Sequence, residues 1–508
     1  MAEDLQAMAL TAIASSQAQQ DPDYPSYHLA PPVGRLNDPN GLLVDGSTYH
    51  AFFQFTPFHP ERKLVYWGHA TSTDLLTWRH HDPAVAPDSP YDLNGAYSGT
   101  ALVLADAEVA VAPGRAGYQF FYTGNLKDPQ TGERSASQCL VTSQDLQHFN
   151  KFPTNPVVPS HAPGYTAHYR DPQVFRDPAR PGEYRMLLGV QRANETGAAV
   201  FYRSKDLVNW SFEGELRFPD AGDAMDHLGY MWECPNLVRL TDELTGQERD
   251  VLIFCPQGIA PEAEGYENIF PCVYAVGRLE GLDFCECDGS FFEVDRGFEF
   301  YAPQVFAHRP GEPGPELLMG WAGNATQDDQ PSLSSSGWVH TMTVPRLLSL
   351  RANKLIQRPV VSSNGPAATA CALSGATIGP AWQEIPELTG SRHWQLALNL
   401  TLGEQPNLTL RIGTEDCYVD ITVAGNVLTV DRSTSRYSQH GGQRRITLPN
   451  GASTQLEVLH DASVTELYLG DGALAFTLRS FLPSEAAGVR LCAATGQKLE
   501  GLRALRHD

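Results

Sequence analysis

The sequence predicts an all-β protein, a five-bladed β-propeller followed by a C-terminal β-sandwich, on three observations. One pattern, Ser-x-Asp-Leu-x-x-aromatic, occurs three times: Ser72-Thr73-Asp74-Leu75-Leu76-Thr77-Trp78, Ser143-Gln144-Asp145-Leu146-Gln147-His148-Phe149 and Ser204-Lys205-Asp206-Leu207-Val208-Asn209-Trp210. Its period of roughly 60–70 residues marks a repeat architecture with long loops, since the common four-stranded propeller repeat is only ~40–45 residues. Five further stations keep nearly the same spacing: Asn37-Asp38, Tyr97-Ser98-Gly99, Arg170-Asp171, Glu233 and Tyr301-Ala302-Pro303. One station per blade brings all of them to a shared axial funnel, and five blades lie within the range of about 4–8 found in propellers. Finally, the texture changes near Ser362 to Ser, Gly, Ala and Pro. Beyond Pro380, short alternating runs such as Trp394–Leu398, Leu408–Ile412, Val427–Val430 and Leu456–Leu459 recur between turn residues, the signature of a sandwich.

The expected order is therefore a short helix and linker over 1–25, the propeller over 26–361, a linker over 362–380 and the sandwich over 381–508. Each copy of the repeated pattern follows an alternating run (Tyr66 to Ala70, Gln138 to Val141, Ala199 to Arg203), as expected of a strand entering a turn in which Ser and Asp bond nearby backbone.

With 508 residues, 42% apolar and 10% aromatic, the chain buries a large core and exceeds the size at which single cores stop growing. A net charge of −23 without a compensating basic run argues against nucleic acid and anionic membrane partners. No stretch approaches the roughly 20 apolar residues that span a bilayer, and acidic Glu3 and Asp4 precede the only candidate secretion segment, Ala7 to Ala14. Nine dispersed cysteines without CxxC spacing indicate neither a disulfide framework nor a zinc site, so a reduced, cytoplasmic setting is expected, with no metal and no cofactor.

The chemistry rests on three carboxylates in aromatic surroundings: Asp38 in Asn37-Asp38-Pro39-Asn40-Gly41, Asp171 in Arg170-Asp171-Pro172 and Glu233 in Trp232-Glu233-Cys234-Pro235. Two carboxylates flanking one bond, with a third fixing the sugar, are the equipment of a glycoside hydrolase. Between Trp232 and Cys234, desolvation is expected to raise the Glu233 pKa towards roughly 6–7, suiting a general acid. Gln54 and Arg170 are candidate ligands for sugar hydroxyls, and Trp67, Tyr97 and Trp321 are candidate walls, because aromatic faces pack on sugar rings. A second Arg-Asp-Pro, Arg176-Asp177-Pro178, runs into a loop and is read as a decoy. His80-His81-Asp82 is read as a solvated turn rather than a metal site, and Cys234 as packing rather than a nucleophile.

These motifs resemble glycoside hydrolase family 32, the invertase, sucrose-6-phosphate hydrolase and fructanase group, and its bacterial intracellular branch in particular. The resemblance runs from Tyr27-His28-Leu29 through Asn37-Asp38-Pro39-Asn40-Gly41, Tyr66-Trp67-Gly68-His69-Ala70, Tyr97-Ser98-Gly99, His168-Tyr169-Arg170-Asp171-Pro172 and Tyr230-Met231-Trp232-Glu233-Cys234-Pro235 to Phe300-Tyr301-Ala302-Pro303-Gln304. It implies Asp38 as nucleophile, Glu233 as acid/base and Asp171 as transition-state stabiliser, with Asn37, Gln54, Trp67, Ser98 and Arg170 lining a fructose subsite. The implied activity is retaining hydrolysis of sucrose, sucrose 6-phosphate or short fructo-oligosaccharides. Fructosyl transfer or fructan hydrolysis on the same scaffold is the alternative, and a catalytically silent carbohydrate-binding protein the remote one. Arg35 departs from the tryptophan many members carry there, and with Arg62 and Lys63 it is a candidate phosphate partner at the pocket entrance.

Overall fold

The computed structural model describes residues 4–262, 264–312, 314–361, 368–401, 407–449, 453–483 and 488–507. Five sheets of four or five strands, antiparallel except for one short parallel strand in the first, form the propeller, and two six-stranded sheets form the sandwich. The innermost strands of the five blades are Gly34–Asp45, Ala96–Val103, Tyr165–Arg176, Met231–Thr241 and Tyr301–Val305.

Each innermost strand is interrupted at its station by the same irregularity. Asn37-Asp38 oppose Gln54 alone, Tyr97-Ser98 oppose Thr123, Asp171-Pro172 oppose Leu188, Cys234-Pro235 oppose Phe254 and Ala302-Pro303 oppose Gly320. Two residues facing one is a β-bulge, which bends the strand and re-aims its side chains. Proline favours the break in four of the five, because it lacks the N–H that a ladder needs. In three of these the residue before proline (Asp171, Cys234, Ala302) has positive φ. The station spacing visible in sequence is thus the spacing of the bulges.

The repeated Ser-x-Asp-Leu pattern is one turn built three times, after the strands Tyr66–Ser72, Arg134–Ser143 and Gly197–Ser204. Ser72, Ser143 and Ser204 accept the amides of Leu75, Leu146 and Leu207, while Asp74, Asp145 and Asp206 accept the next two amides. Each leucine takes a left-handed φ of 56° to 66° and is buried. Burial of the side chain, about 1.5–3 kcal/mol, offsets the unfavourable backbone.

The ring closes where Trp338–Val339 pair in parallel with Gly34–Arg35 and where Ala307 exchanges backbone bonds with Leu42 and Val44. The helix Leu5–Ala14, capped by Asp4, lies on the first blade, with Gln6 bonding the Pro83 carbonyl. Among the described residues no helix is long and apolar enough to cross a membrane.

In the sandwich, alternation is regular: Leu408, Leu410 and Ile412 point inward against Leu396, Leu398 and Val458 of the other sheet. Of the expected linker, residues 362–367 lie outside the described residues, and Thr369–Ala370 and Thr377–Ile378 already pair with the C-terminal strands. A buried ionic cluster ties sandwich to propeller. His28 bonds Asp461 at 2.8 Å and Glu466 at 3.0 Å, and Arg346 bonds Glu466 and Asp295 at 2.7 and 2.9 Å. His80-His81-Asp82 belongs to the outer strand Arg79–Val85, not to a turn; Asp82 begins a bulge in that strand, and the His81 ring stacks on His69.

Candidate active site

Asp38, Asp171 and Glu233 come from the innermost strands of the first, third and fourth blades and line one cavity of about 350 Å³ at the propeller axis. Neighbours on a regular strand point to opposite faces. The bulge turns two successive residues the same way, so Asn37 Nδ2 reaches Asp38 Oδ1 at 3.0 Å and Gln54 Oε1 at 2.9 Å. Gln54 Nε2 donates to Asp38 Oδ2 at 3.1 Å, and the Ser98 hydroxyl donates to the same oxygen. Burial raises the Asp38 pKa, and the bonds from Ser98 and Asn37 oppose it without reversing the direction.

Asp171 is fixed through its backbone and its neighbour. Its amide donates to Thr123 Oγ1, and its Oδ2 accepts the Cys234 amide, both at 3.0 Å. The Cys234 thiol lies 3.5 Å from Asp171 Oδ2 and 3.9 Å from Asp38 Oδ2, so it floors the space between the two carboxylates. Burial pushes the Asp171 pKa up to about 7; Arg170 opposes this, while Glu233 and Asp38 add to it.

Glu233 differs from expectation. Burial acts to raise its pKa, but the Arg170 charge and the bonds from Tyr301 and Arg170 outweigh it, and the net shift is downward. Its Oε1 accepts from Arg170 Nε at 3.0 Å and from Nη2, and its Oε2 accepts from Gln257 Nε2 at 2.7 Å and from the Tyr301 hydroxyl. The sequence neighbours do not enclose it. Trp232 points away to pack on Phe254, with ring centroids 4.2 Å apart, and Cys234 faces the other two carboxylates.

Two expected walls stand behind the cavity. Trp67 is 1% exposed and donates its indole N–H to the Tyr97 carbonyl at 3.0 Å. Trp321 is 3% exposed, donates to His340 Nδ1 and carries the Arg35 guanidinium 5.1 Å above its ring. They brace Tyr97 and Arg35, and of the three aromatic candidates Tyr97 lines the cavity. Arg35 is committed too: Nε pairs with Asp328 at 2.7 Å and Nη1 donates to Asn37 Oδ1 at 2.6 Å. It orients the Asn37 amide, and neither Arg62 nor Lys63 lines the cavity. Asp177 lies just past the end of the strand Tyr165–Arg176, outside the cavity lining, pairing with Arg203 at 2.5 Å.

Sequence reasoning missed Gln257, His168 and Arg134 as cavity residues. His168 was legible, being two residues before Arg170 and hence on its face; its Nδ1 lies 3.1 Å from Arg170 Nη1. Gln257 needed the strand register, which places it diagonally across from Glu233. A larger cleft, about 1320 Å³, opens over the outer strands of the first two blades but contains none of the three carboxylates, so chemistry rather than size identifies the site. Among the described residues no cluster of His, Cys, Asp and Glu has the arrangement to hold a metal.

Comparison with known proteins agrees with this architecture. The family model "Glycosyl hydrolases family 32 N-terminal domain" matches residues 28–359 and "Glycosyl hydrolases family 32 C terminal" matches 362–505. A sucrose-6-phosphate hydrolase of Klebsiella pneumoniae is 35% identical over 471 residues, covering 92% of this chain and 90% of its own. The structure of sucrose-6-phosphate hydrolase from Lactobacillus gasseri superposes with a TM-score of 0.78 at 28% identity, covering 99% of this chain and 96% of its own. A mutant Bombyx mori GH32 beta-fructofuranosidase in complex with sucrose gives a TM-score of 0.78 at 26% identity, covering 100% and 99%. With both halves matched along nearly their whole length, the chain belongs to glycosyl hydrolases family 32.

Proposed function

We propose that this protein is a retaining β-fructofuranosidase that hydrolyses sucrose and sucrose 6-phosphate, with Asp38 as nucleophile, Glu233 as acid/base and Asp171 as transition-state stabiliser. The observation that carries this reading is the convergence of three carboxylates from three blades on one cavity, each held by a different set of donors. Asp38, oriented through both oxygens by Asn37, Gln54 and Ser98, attacks the anomeric C2 of the fructosyl unit. Glu233 gives its proton to the departing oxygen, and a fructosyl ester forms on Asp38. Glu233 then takes a proton from the water that cleaves the ester. Asp171 and Arg170 hold ring hydroxyls and tighten as positive charge develops.

The lowered Glu233 pKa fits this cycle once the cluster is treated as a unit. Burial raises Asp38 and Asp171 while the Arg170 charge holds Glu233 down, so the protonation of each carboxylate depends on the charges of its neighbours. In the free site burial pushes Asp171 up to about 7. A sugar hydroxyl that takes up Arg170 weakens the charge holding Glu233 down, and burial then acts to raise its pKa as the acid role requires.

The named relatives support the substrate pair, since two of those compared are sucrose-6-phosphate hydrolases and the third binds sucrose. A phosphorylated disaccharide does not cross a bilayer unaided, so the enzyme works in the cytoplasm, where its nine cysteines stay as thiols. The test is the initial rate of fructose release from sucrose, sucrose 6-phosphate and 1-kestose, with Asp38→Asn and Glu233→Gln as blanks. We expect both variants to fold and to lose at least about 10²–10⁴-fold in turnover. An active Asp38→Asn enzyme overturns the nucleophile assignment, and formation of oligosaccharides at high sucrose favours transfer over hydrolysis.

A further inference from the structure

The cavity contains a cation that no carboxylate among the described residues pairs with. Arg134 enters it from the second blade, on the hairpin formed by strands Tyr118–Lys127 and Arg134–Ser143, and among the described residues it makes no ion pair. Arg170, the other arginine there, is committed to Glu233. Lys127 lies directly opposite Arg134 in the register, is exposed, and likewise makes no ion pair among the described residues. The nearby Asp128 carboxylate is occupied by the amides of Gln130 and Thr131.

Like charges directly opposite each other on an antiparallel pair destabilise it. This chain has 59 acidic against 36 basic residues, so a compensating carboxylate is easy to supply, yet among the described residues this pair, of which Arg134 lines the cavity, lacks one. Such a pair is stabilised by an anion arriving from solution. Its position selects the anion. The Arg134 charge acts on His168, lowering its pKa after burial and Arg170 have done so, and His168 contacts the arginine that holds Glu233. Arg134 therefore stands on the Glu233 side of the cavity. That is the side of the leaving sugar, because Glu233 protonates the oxygen that departs with it.

Resting on the hydrolase reading above, we propose that Arg134, backed by Lys127, binds the phosphate of sucrose 6-phosphate and sets the preference for the phosphorylated over the plain disaccharide. A phosphate on the primary hydroxyl of the leaving glucosyl unit carries about −1.5 to −2 charge near neutral pH. The guanidinium offers it a two-pronged set of donors, and Lys127 a second positive charge.

The experiment is kcat/KM for sucrose 6-phosphate and for sucrose with the wild-type protein, Arg134→Gln, Arg134→Lys and Lys127→Ala, read as the ratio of the two values. Glucose 6-phosphate and glucose binding to the same proteins is measured by calorimetry. Arg134→Gln is expected to lower the ratio by about 10–100-fold, chiefly through KM for the phosphorylated sugar, and to weaken glucose 6-phosphate binding by a similar factor. Arg134→Lys restores part of both, Lys127→Ala lowers the ratio by a smaller factor, and added salt compresses the wild-type ratio. An unchanged ratio with unchanged glucose 6-phosphate affinity overturns the proposal. So does an equal fall for both sugars, which makes Arg134 a positioning residue for the general reaction. If the wild-type protein hydrolyses neither sugar, the hydrolase reading fails, and the calorimetry still decides whether Arg134 holds the phosphate.

Discussion

Removing the Ser98 hydroxyl tests the assignment of Asp38 by moving one limb of the pH profile. Ser98 Oγ donates to Asp38 Oδ2, and a donor to a carboxylate favours its ionised form. A nucleophile must be ionised, so in Ser98→Ala the Asp38 pKa, already raised by burial, rises further. A hydrogen bond to a charged group contributes about 1.5–3 kcal/mol, and one pKa unit corresponds to about 1.36 kcal/mol. The expected rise is therefore about 1–2 units. Gln54 Nε2 still reaches the same oxygen at 3.1 Å, which places the outcome near the lower end. The assay is kcat/KM for fructose release across pH 4–9, where the acid limb reports the group that must lose its proton in the free enzyme. We expect that limb to shift upward by about one pH unit with the basic limb little changed. An acid limb that stays in place, or moves down, refutes the assignment, provided that the melting temperature shows the variant folded.

Further predictions concern the rest of the molecule. Asp177→Asn removes a carboxylate that pairs with Arg203 away from the cavity, and should retain turnover within about three-fold in the same fructose assay. His28→Ala removes the buried group shared by Asp461 and Glu466, which keep only His393 and Arg346 respectively as charged partners, and should cost about 3 kcal/mol in thermal or urea unfolding, the lower end for breaking a buried pair. The two carboxylates raise the His28 pKa from 6.5 to about 9 against the effect of burial, so its contribution is complete below pH 6.5 and lost as pH rises through 9. The depressed pKa values of Asp461 and Glu466 give a contribution present above the ordinary carboxylate range and lost in acid. The His28→Ala deficit should thus be largest near pH 5–6.5 and shrink towards pH 9.5. Gly99→Ala places a Cβ 1.8 Å from the Phe121 carbonyl oxygen within the second blade, and should give insoluble protein or a melting temperature several degrees lower.

Much of the fold was legible because it repeats. The Ser-x-Asp-Leu turns and the five stations recur at one period, and local hydrogen bonding of Ser and Asp needs no tertiary context. The same holds for the alternating strands of the sandwich, where a period of two on one buried face is written in consecutive residues. The three carboxylates were visible for a related reason: Asp38 and Asp171 precede prolines and Glu233 lies two residues before one, and these prolines mark the bulges.

What the linear order alone determined is the set of elements and the identity of the carboxylates, because turns, alternation and bulges are set by residues close in sequence. What the tertiary structure decided is the electrostatic company each group keeps. Sequence neighbours suggested that Glu233 is desolvated by Trp232 and Cys234, but strand geometry sends those side chains elsewhere and brings Arg170, Gln257 and Tyr301 from three different strands. Trp67 and Trp321 carry the aromatic character of a sugar platform, yet the packing of adjacent blades places them behind Tyr97 and Arg35. Arg35 is paired with Asp328, nearly three hundred residues away, whereas Arg134 is left facing the cavity. A pKa or a free charge depends on distances of a few ångströms between residues far apart in the chain, and only the closed ring of blades sets those distances.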